Sequence, residues 1–454
     1  MRLDLLRVPV LRLLLSRPAL ALFRGLTLFI FLYALAWGFL VPSRELNLFT
    51  TAVFWSLFWP FFMVTTLATV GNVFCTLCPL GFLGRNLPSL RLRPPRFLKN
   101  PYLGLVLFNV IAYWFVLYTF PGFWRDPFRT ALFFGFFLLL SLTVNALFRG
   151  MTFCKYLCPI GTVNSAFNRV GMLWLATNRE ACNSCKKPVC ALSCPYELNP
   201  STFDPKNTNA WCTYCLDCAR SCEDVKFELR SYSHSLFKPI RKPFAWEVWV
   251  YVVLLGAITF GMRYHHALGH TQLGQFMPWT LLGNFVREKL GTPEWVDPVG
   301  FFAFVMALLT AFGLLFLSLK LAKRVSGLDE RTLFLHLGYA FAPLMIIGAL
   351  AHVSEFFFLH YYHNIVNGFA QAFGLSLRVE PLAERGDAWL HVFRVFPFLA
   401  GFWSLYILKK RVELLSVPNR TQLFAAASVL PVYYLLLSAV ATVAGLFFRL
   451  PHGH

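Results

Sequence analysis

The sequence predicts a mainly α, polytopic helical membrane protein of about nine spans, interrupted by a polar, cysteine-rich insert on one side of the bilayer. Three observations carry that prediction: nine apolar windows of spanning length, basic residues concentrated in alternate loops, and twelve cysteines in closely spaced groups. Over 454 residues, 57% are hydrophobic, 17% aromatic and only 14% charged, which is far from the soluble average.

A helix needs about 20 mostly apolar residues to cross the hydrocarbon layer. Windows of that kind start near Leu26, Phe49, Leu103, Ala131, Ala245, Val299, Leu333, Trp389 and Leu423. They end near Val41, Val73, Gly122, Phe148, Arg263, Leu319, His352, Leu408 and Phe448. A secretory signal is the rival for the first window, because Ala34-Leu35-Ala36 resembles a cleavage site. That site falls inside the apolar run and not after it, so a span is expected. The stretch Leu5 to Leu20 is expected to lie as an amphipathic helix on the inner surface, shortened or kinked at Pro9 and Pro18.

The formal charge of +20 follows topology. Arg2, Arg7, Arg12, Arg17 and Arg24 precede the first window, and Arg85, Arg91, Arg93, Arg96 and Lys99 follow the second. Lys320, Lys323, Arg324 and Arg331, then Lys409, Lys410, Arg411 and Arg420, fall on the same side by parity. The positive-inside rule makes that side cytoplasmic, so the expected location is the inner membrane. The amino terminus is then inside, and His452-Gly453-His454 outside. Nucleic-acid binding is excluded as the reason for the charge.

Four parts are expected along the chain: a cytoplasmic leader over 1–24, a four-span region over 25–165, the cytoplasmic insert over 166–244, and a five-span domain over 245–454. The four-span region repeats itself. Phe74-Cys75-Thr76-Leu77-Cys78-Pro79-Leu80-Gly81 recurs as Phe153-Cys154-Lys155-Tyr156-Leu157-Cys158-Pro159-Ile160-Gly161, with one extra residue between the second pair. Each pair can share a helix face, proline would end the helix, and glycine would allow the turn. Asn72, Asn109 and Asn145, read as intramembrane, are expected to bond between helices.

The insert holds Cys182, Cys185, Cys190 and Cys194-Pro195, then Cys212, Cys215, Cys218 and Cys222. Cytoplasmic cysteines favour metal over disulfide. The second run, C-x2-C-x2-C-x3-C, is the two-cluster ferredoxin spacing, in which the fourth cysteine of each run serves the other cluster. Two 4Fe-4S clusters are therefore expected, one on Cys182, Cys185, Cys190 and Cys222, the other on Cys212, Cys215, Cys218 and Cys194. The first run departs from the pattern with four residues between Cys185 and Cys190, and Cys222 is followed by Glu223 instead of proline. Zinc sites usually separate two close pairs by a longer gap, so iron is favoured. With little apolar sequence of its own, the insert is expected to depend on its metal for folding.

Cys75, Cys78, Cys154 and Cys158 can meet where two hairpins reach the cytoplasmic face. Three readings stay open there: a third iron-sulfur cluster, a copper(I) or dithiol site, or four cysteines packed as small hydrophobes.

The two C-x2/3-C-P-[LI]-G motifs followed by the ferredoxin-like insert resemble the NapH, NosR and CcoG group of membrane polyferredoxins over about residues 20 to 230. The resemblance implies electron transfer at the inner membrane, tied to quinol oxidation, supply of a periplasmic reductase, or assembly of a copper oxidase. Two departures are visible: neither an extracytoplasmic flavin domain before the first span nor a soluble domain after the last is expected, and five further spans stand in their place.

Those spans gather histidines on the outer side: His265, His266 and His270, then His352, His360 and His363, then His391. Ordinary interfacial histidines are the simplest explanation, against metal or haem b ligation. His352 and His391 are the best haem pair. Polar groups in an apolar cleft also suit a quinone headgroup, for which His352, Glu355, His391 and Arg394 are the candidates. Glu247 is expected at the inner interface.

The expected function is membrane electron transfer between a quinone pool or outer-side partner and the cytoplasmic clusters, as a quinol dehydrogenase-type oxidoreductase subunit working with a redox partner protein or complex subunits. Lys155, Lys186, Lys187 and Arg220 would raise cluster potentials. The alternative is a copper reductase or assembly factor for a respiratory metalloenzyme, with the membrane-edge thiols handling copper. Transport is disfavoured, since polar mid-membrane residues are sparse.

Overall fold

The computed structural model describes residues 3–120, 122–203 and 210–448. Arg2, Pro205, Asn207, His452, Gly453 and His454 lie outside the described residues. Among the described residues, eight helices are long and apolar enough to cross a membrane: Arg17–Leu40, Phe49–Thr69, Pro127–Leu147, Ala245–Leu268, Pro298–Ser326, Glu330–Ala372, Ala388–Glu413 and Val429–Phe447. Leu103–Thr119, a shorter apolar helix, fills the remaining window.

Local chemistry sets several of these limits. Ser16, Asp126 and Asp297 each cap a helix start by accepting a backbone N–H, and a proline follows in the first turn where its missing N–H costs nothing. Gly327, at φ 71°, ends Pro298–Ser326 after Lys323 and Arg324, whose charges suit the negative end of the helix.

The leader, expected as an amphipathic helix shortened or kinked at Pro9 and Pro18, is more broken than that. It runs as strand β1 (Leu3–Asp4), a 3-10 turn (Leu5–Arg7) and a short helix (Pro9–Leu14), before Arg17 starts the first span. Pro9 and Pro18 act as helix starters rather than kinks, because each sits in a first turn. In the insert, β2 (Leu173–Thr177) and β3 (Val225–Leu229) complete a three-stranded antiparallel sheet of order β1-β3-β2, with Leu3 opposite Leu229 and Leu173 on its other side.

Burial explains why the leader folds this way. Leu5 and Leu20 close a core that also holds Leu173, Leu175, Phe203, Tyr214, Leu216, Val225, Phe227 and the cysteines 190, 212 and 218. The apolar surface that the insert lacks comes from the leader and the start of the first span.

The described chain packs into two compact units that do not follow chain order. The first comprises Met1–Phe108, Trp124–Pro243 and Phe356–Arg385, and so holds all twelve cysteines. Its last segment lies against the first two spans: Gly368 leaves room for Ala52 and Phe49 of the second, and Ala372 accepts a bond from the Tyr33 hydroxyl of the first at 2.8 Å. The second unit comprises Asn109–Phe123, Phe244–Glu355 and Gly386–His454. There small residues let helices approach, as where Gly256 meets Ala307 and Ala311. Glu247 lies in the first turn of its helix, buried within the protein, and accepts a bond from Tyr339.

Replacing Leu5 with Ala should cost the insert core about 2–5 kcal/mol. Limited proteolysis of the whole protein should then cut faster within 166–244, and wild-type cleavage rates there would count against the leader's role.

Candidate metal centres

The two repeat motifs begin at helix ends. After the second span, Gly71 takes φ 121°, and Asn72 caps the short helix Val73–Leu77 by accepting from Cys75 N–H. Cys78 breaks that helix, and Pro79 starts the next, Pro79–Asn86. In the second copy Phe153–Leu157 winds as a π-helical turn, Cys158 forms the break, and Pro159 starts Pro159–Phe167. The wider turn absorbs the extra residue. π-turns of this kind occur often at functional sites.

Each proline therefore opens a new helix as well as closing one. Gly161 serves close packing in place of the expected role in a turn, since a Cβ there would lie 2.5 Å from the Cys154 carbonyl oxygen. Neither Gly81 nor Gly161 needs a left-handed backbone.

The four membrane-edge thiols converge. Cys75 lies in charge range of Cys78 and Cys158, and Cys154 in charge range of all three. Burial pushes Cys75, Cys78, Cys154 and Cys158 up, the last to about 12, and neighbouring sulfurs push the first, third and fourth further. Such thiols ionise only beside a cation. Donors are aimed at them nonetheless: Asn164 Nδ2 reaches Cys75 Sγ at 3.1 Å, Gly161 N reaches Cys158 Sγ at 3.3 Å, and the Leu80 and Gly81 amides serve Cys78.

In the insert the structure places Cys222 with Cys182, Cys185 and Cys190, and Cys194 with Cys212, Cys215 and Cys218. Cys218 also senses Cys190, so the two groups adjoin. Cys185 is exposed, whereas Cys212, Cys215 and Cys218 are buried. A small pocket opens among Cys194, Cys212, Cys215 and Cys218, lined by side chains such as Leu175, Phe203 and Tyr196.

Trp211, Tyr214 and Leu216 all take positive φ, between 52° and 66°. Non-glycine residues pay roughly 1–3 kcal/mol each for such a backbone, and persist where the surroundings demand it. Here the contortion turns amides of Tyr214, Asp217 and Ala219 toward Cys212, Cys215 and Cys218 in turn. Burial still dominates and holds the Cys215 thiol up at about 11. Four adjoining sulfurs around one pocket, with inward amides, fit a 4Fe-4S cubane. Among the described residues, no three His, Cys, Asp or Glu side chains are arranged around one metal ion. A cubane asks for something different, since its four thiolates bind separate irons.

Cations lie where the sulfurs do. Lys155 is buried, and its Nζ donates to the Tyr196 carbonyl at 2.9 Å within charge range of Cys194 and Cys154. Arg220 donates to the Cys215 carbonyl at 3.2 Å, and Asp217 beside it pairs with Arg85 at 2.7 Å. Lys186 and Lys187 are exposed.

Several residues here escaped sequence reading. Asn72, expected between spans, donates to the Cys212 carbonyl at 3.0 Å and so joins the membrane edge to the insert. Thr76 does likewise with Thr213 at 2.8 Å. Asn168 links the Asn72 amide to the Tyr214 hydroxyl. Asn145 bonds within its own helix to Ser141 and receives the Phe153 amide, seating the second motif. Only Asn72, as a helix cap before a cysteine motif, carried a local signal.

The outer candidates are divided. His352, Glu355, His391 and Arg394 belong to the second unit, and His360 and His363 to the first. His352 lies in charge range of His266, with His265 and His270 close by. His265 Nε2 bonds Asp297 Oδ2 at 2.9 Å, and Arg287 approaches the same carboxylate at 3.3 Å. Asp297 carried no sequence signal beyond its place before Pro298.

A family model described as a 4Fe-4S binding domain matches residues 51–93 and 130–179. Those segments contain Cys75, Cys78, Cys154 and Cys158 and stop before Cys182. An uncharacterised protein of Methanocaldococcus jannaschii is 29% identical over 37% of this chain and 75% of its own length. The candidate electron transport protein YccM of Escherichia coli is 29% identical over 42% of the chain and 59% of its own length. The regulatory protein NosR of Pseudomonas aeruginosa is 30% identical, over 43% of the chain and 29% of its own length. No solved structure matches the chain.

Cys222→Ala should remove the iron of the Cys182 group and spare that of the Cys194 group, so that iron falls by about four per chain. Loss of the signal of the Cys212 group instead would reverse the assignment. Lys155→Gln should lower the potential of the centres it faces in an anaerobic titration. Unchanged potentials at full iron content would remove the charge role.

Proposed function

We propose, from the premise that the chain belongs to the iron-sulfur membrane polyferredoxins, that it carries electrons between a quinone pool or an outer-side redox partner and 4Fe-4S clusters on the cytoplasmic side of the inner membrane. One observation carries the reading most: three groups of four thiols in one compact unit, the membrane-edge group tied to the insert by Asn72 and Thr76.

Bound 4Fe-4S clusters supply one-electron carriers. The chain's own residues position them, keep water from the buried group, and set potentials through amides and cations. A third cluster on Cys75, Cys78, Cys154 and Cys158 is favoured over copper(I), because the iron-sulfur family model covers those four cysteines. The bilayer core is about 30 Å thick, so a carrier at one edge does not serve both faces. A quinone or haem b held by His352, Glu355, His391 and Arg394 is the proposed second element. Oxidising a hydroquinone releases two protons with its two electrons, and those imidazoles and the carboxylate can accept protons. The chain would then act as a quinol dehydrogenase-type subunit beside a redox partner, its amino terminus and clusters cytoplasmic and its carboxyl terminus outside.

Metal and acid-labile sulfide analysis of anaerobically purified protein tests this reading. About twelve irons per chain supports three cubanes. About eight irons with bound copper would support copper reduction or assembly instead, and negligible iron would defeat both.

A further inference from the structure

Tyr196 is 3% exposed and follows Cys194-Pro195. Its hydroxyl lies beside Thr213 and in charge range of Cys154, Cys75 and Cys215, next to the Gly81 backbone that also adjoins Cys75 and Cys78. The same residue lines the cavity enclosed by Cys194, Cys212, Cys215 and Cys218. One aromatic side chain thus touches both sulfur groups.

Three further contacts hold it there. The Tyr196 carbonyl accepts Lys155 Nζ at 2.9 Å, and Lys155 belongs to the π-turn between Cys154 and Cys158. From the first motif, Gly81 presents its bare Cα side, where a Cβ would sit 3.5 Å from the Tyr196 hydroxyl. The following residue, Glu197, takes φ 50° and pairs with Arg149 at 3.6 Å. Both repeat motifs therefore close on this side chain, and the extra residue of the second motif has a use: its wider turn brings Lys155 to the Tyr196 backbone.

A phenol O–H can donate to a sulfur that bears charge. Such a bond favours the more negative, reduced state of an iron-sulfur centre, and hydrogen bonds to sulfur are among the main controls of its potential. The buried ring, which lines the pocket of the Cys194 group, also fills space that water would otherwise occupy between the two groups.

We infer that Tyr196 is the joint between the membrane-edge centre and the buried insert centre, its hydroxyl raising the membrane-edge potential and its ring carrying the contact across which one electron passes. This rests on the reading that Cys75, Cys78, Cys154 and Cys158 hold an iron-sulfur centre. The step is a single electron transfer: one centre is oxidised by one electron as the other is reduced by one, with no bond made and no proton required. Tyr196 acts as a positioning residue, with no covalent part.

The test uses the full-length protein, purified anaerobically, with Tyr196→Phe and Tyr196→Leu. Iron content and spectroscopic redox titration of each centre are read first. Tyr196→Phe should keep all iron and lower the membrane-edge potential, so that its reduced-to-oxidised ratio at fixed potential drops about 3- to 10-fold, where tenfold corresponds to about 59 mV for one electron. The Cys182 group should not move. Tyr196→Leu should in addition slow electron exchange between the two centres at least tenfold in rapid-freeze measurements. An unchanged potential in Tyr196→Phe, at full iron content, would overturn the inference even if the leucine variant loses iron. Wild-type protein lacking iron at the membrane edge would instead defeat the underlying reading, before any variant is made.

Discussion

Burying sulfur anions at the edge of a bilayer is costly unless positive charge is placed among them. Every part of the first unit is arranged around that requirement. Twelve thiols are drawn into three groups, and burial and mutual repulsion push most of them toward the neutral form. Amides, an asparagine and a tyrosine are nevertheless aimed at the sulfurs, which is useful only if those sulfurs carry charge. Iron would resolve the conflict: it would supply the cation, and the amides would then set how readily the bound cluster takes an electron.

The same requirement explains the strained and close-packed backbone. Positive φ at Trp211, Tyr214 and Leu216 spends conformational energy to turn N–H groups inward. Gly161 allows a helix start to press against the Cys154 carbonyl. The two repeat motifs are near-copies in sequence yet differ in winding, and the difference has a consequence. The π-turn of the second lets Lys155 reach the insert, whereas the first reaches it through Thr76 and Asn72. A duplicated hairpin has thus become two unequal halves of one junction.

The second unit has its own polar centre, the His265–Asp297 pair with Arg287 and neighbouring histidines. It contains no cysteine, and its helices pack through small residues and buried hydroxyls, such as Ser404 on the Ala340 carbonyl at 2.7 Å. Polar groups gathered in an otherwise apolar set of helices are costly to keep without a task.

What was legible in sequence was whatever is encoded locally. Run length set the nine apolar helices, loop charge set the expected orientation, and cysteine spacing set the ferredoxin-like insert, because each depends on residues within one or two turns of one another. The leader was legible only in part: short helical segments divided near Pro9 and Pro18 follow from local sequence, but nothing local shows that Leu3 and Asp4 pair with a strand more than two hundred positions away. Tertiary structure alone decided that Leu5 completes the insert core and that Asn72 meets Cys212 across 140 residues. It also placed Tyr196 between two sulfur groups, although nothing in its neighbourhood marks it out. The physical reason is that a ligand set or a bridging contact is a fact about distance in space, and one chain's spacing records distance only while its turns remain short.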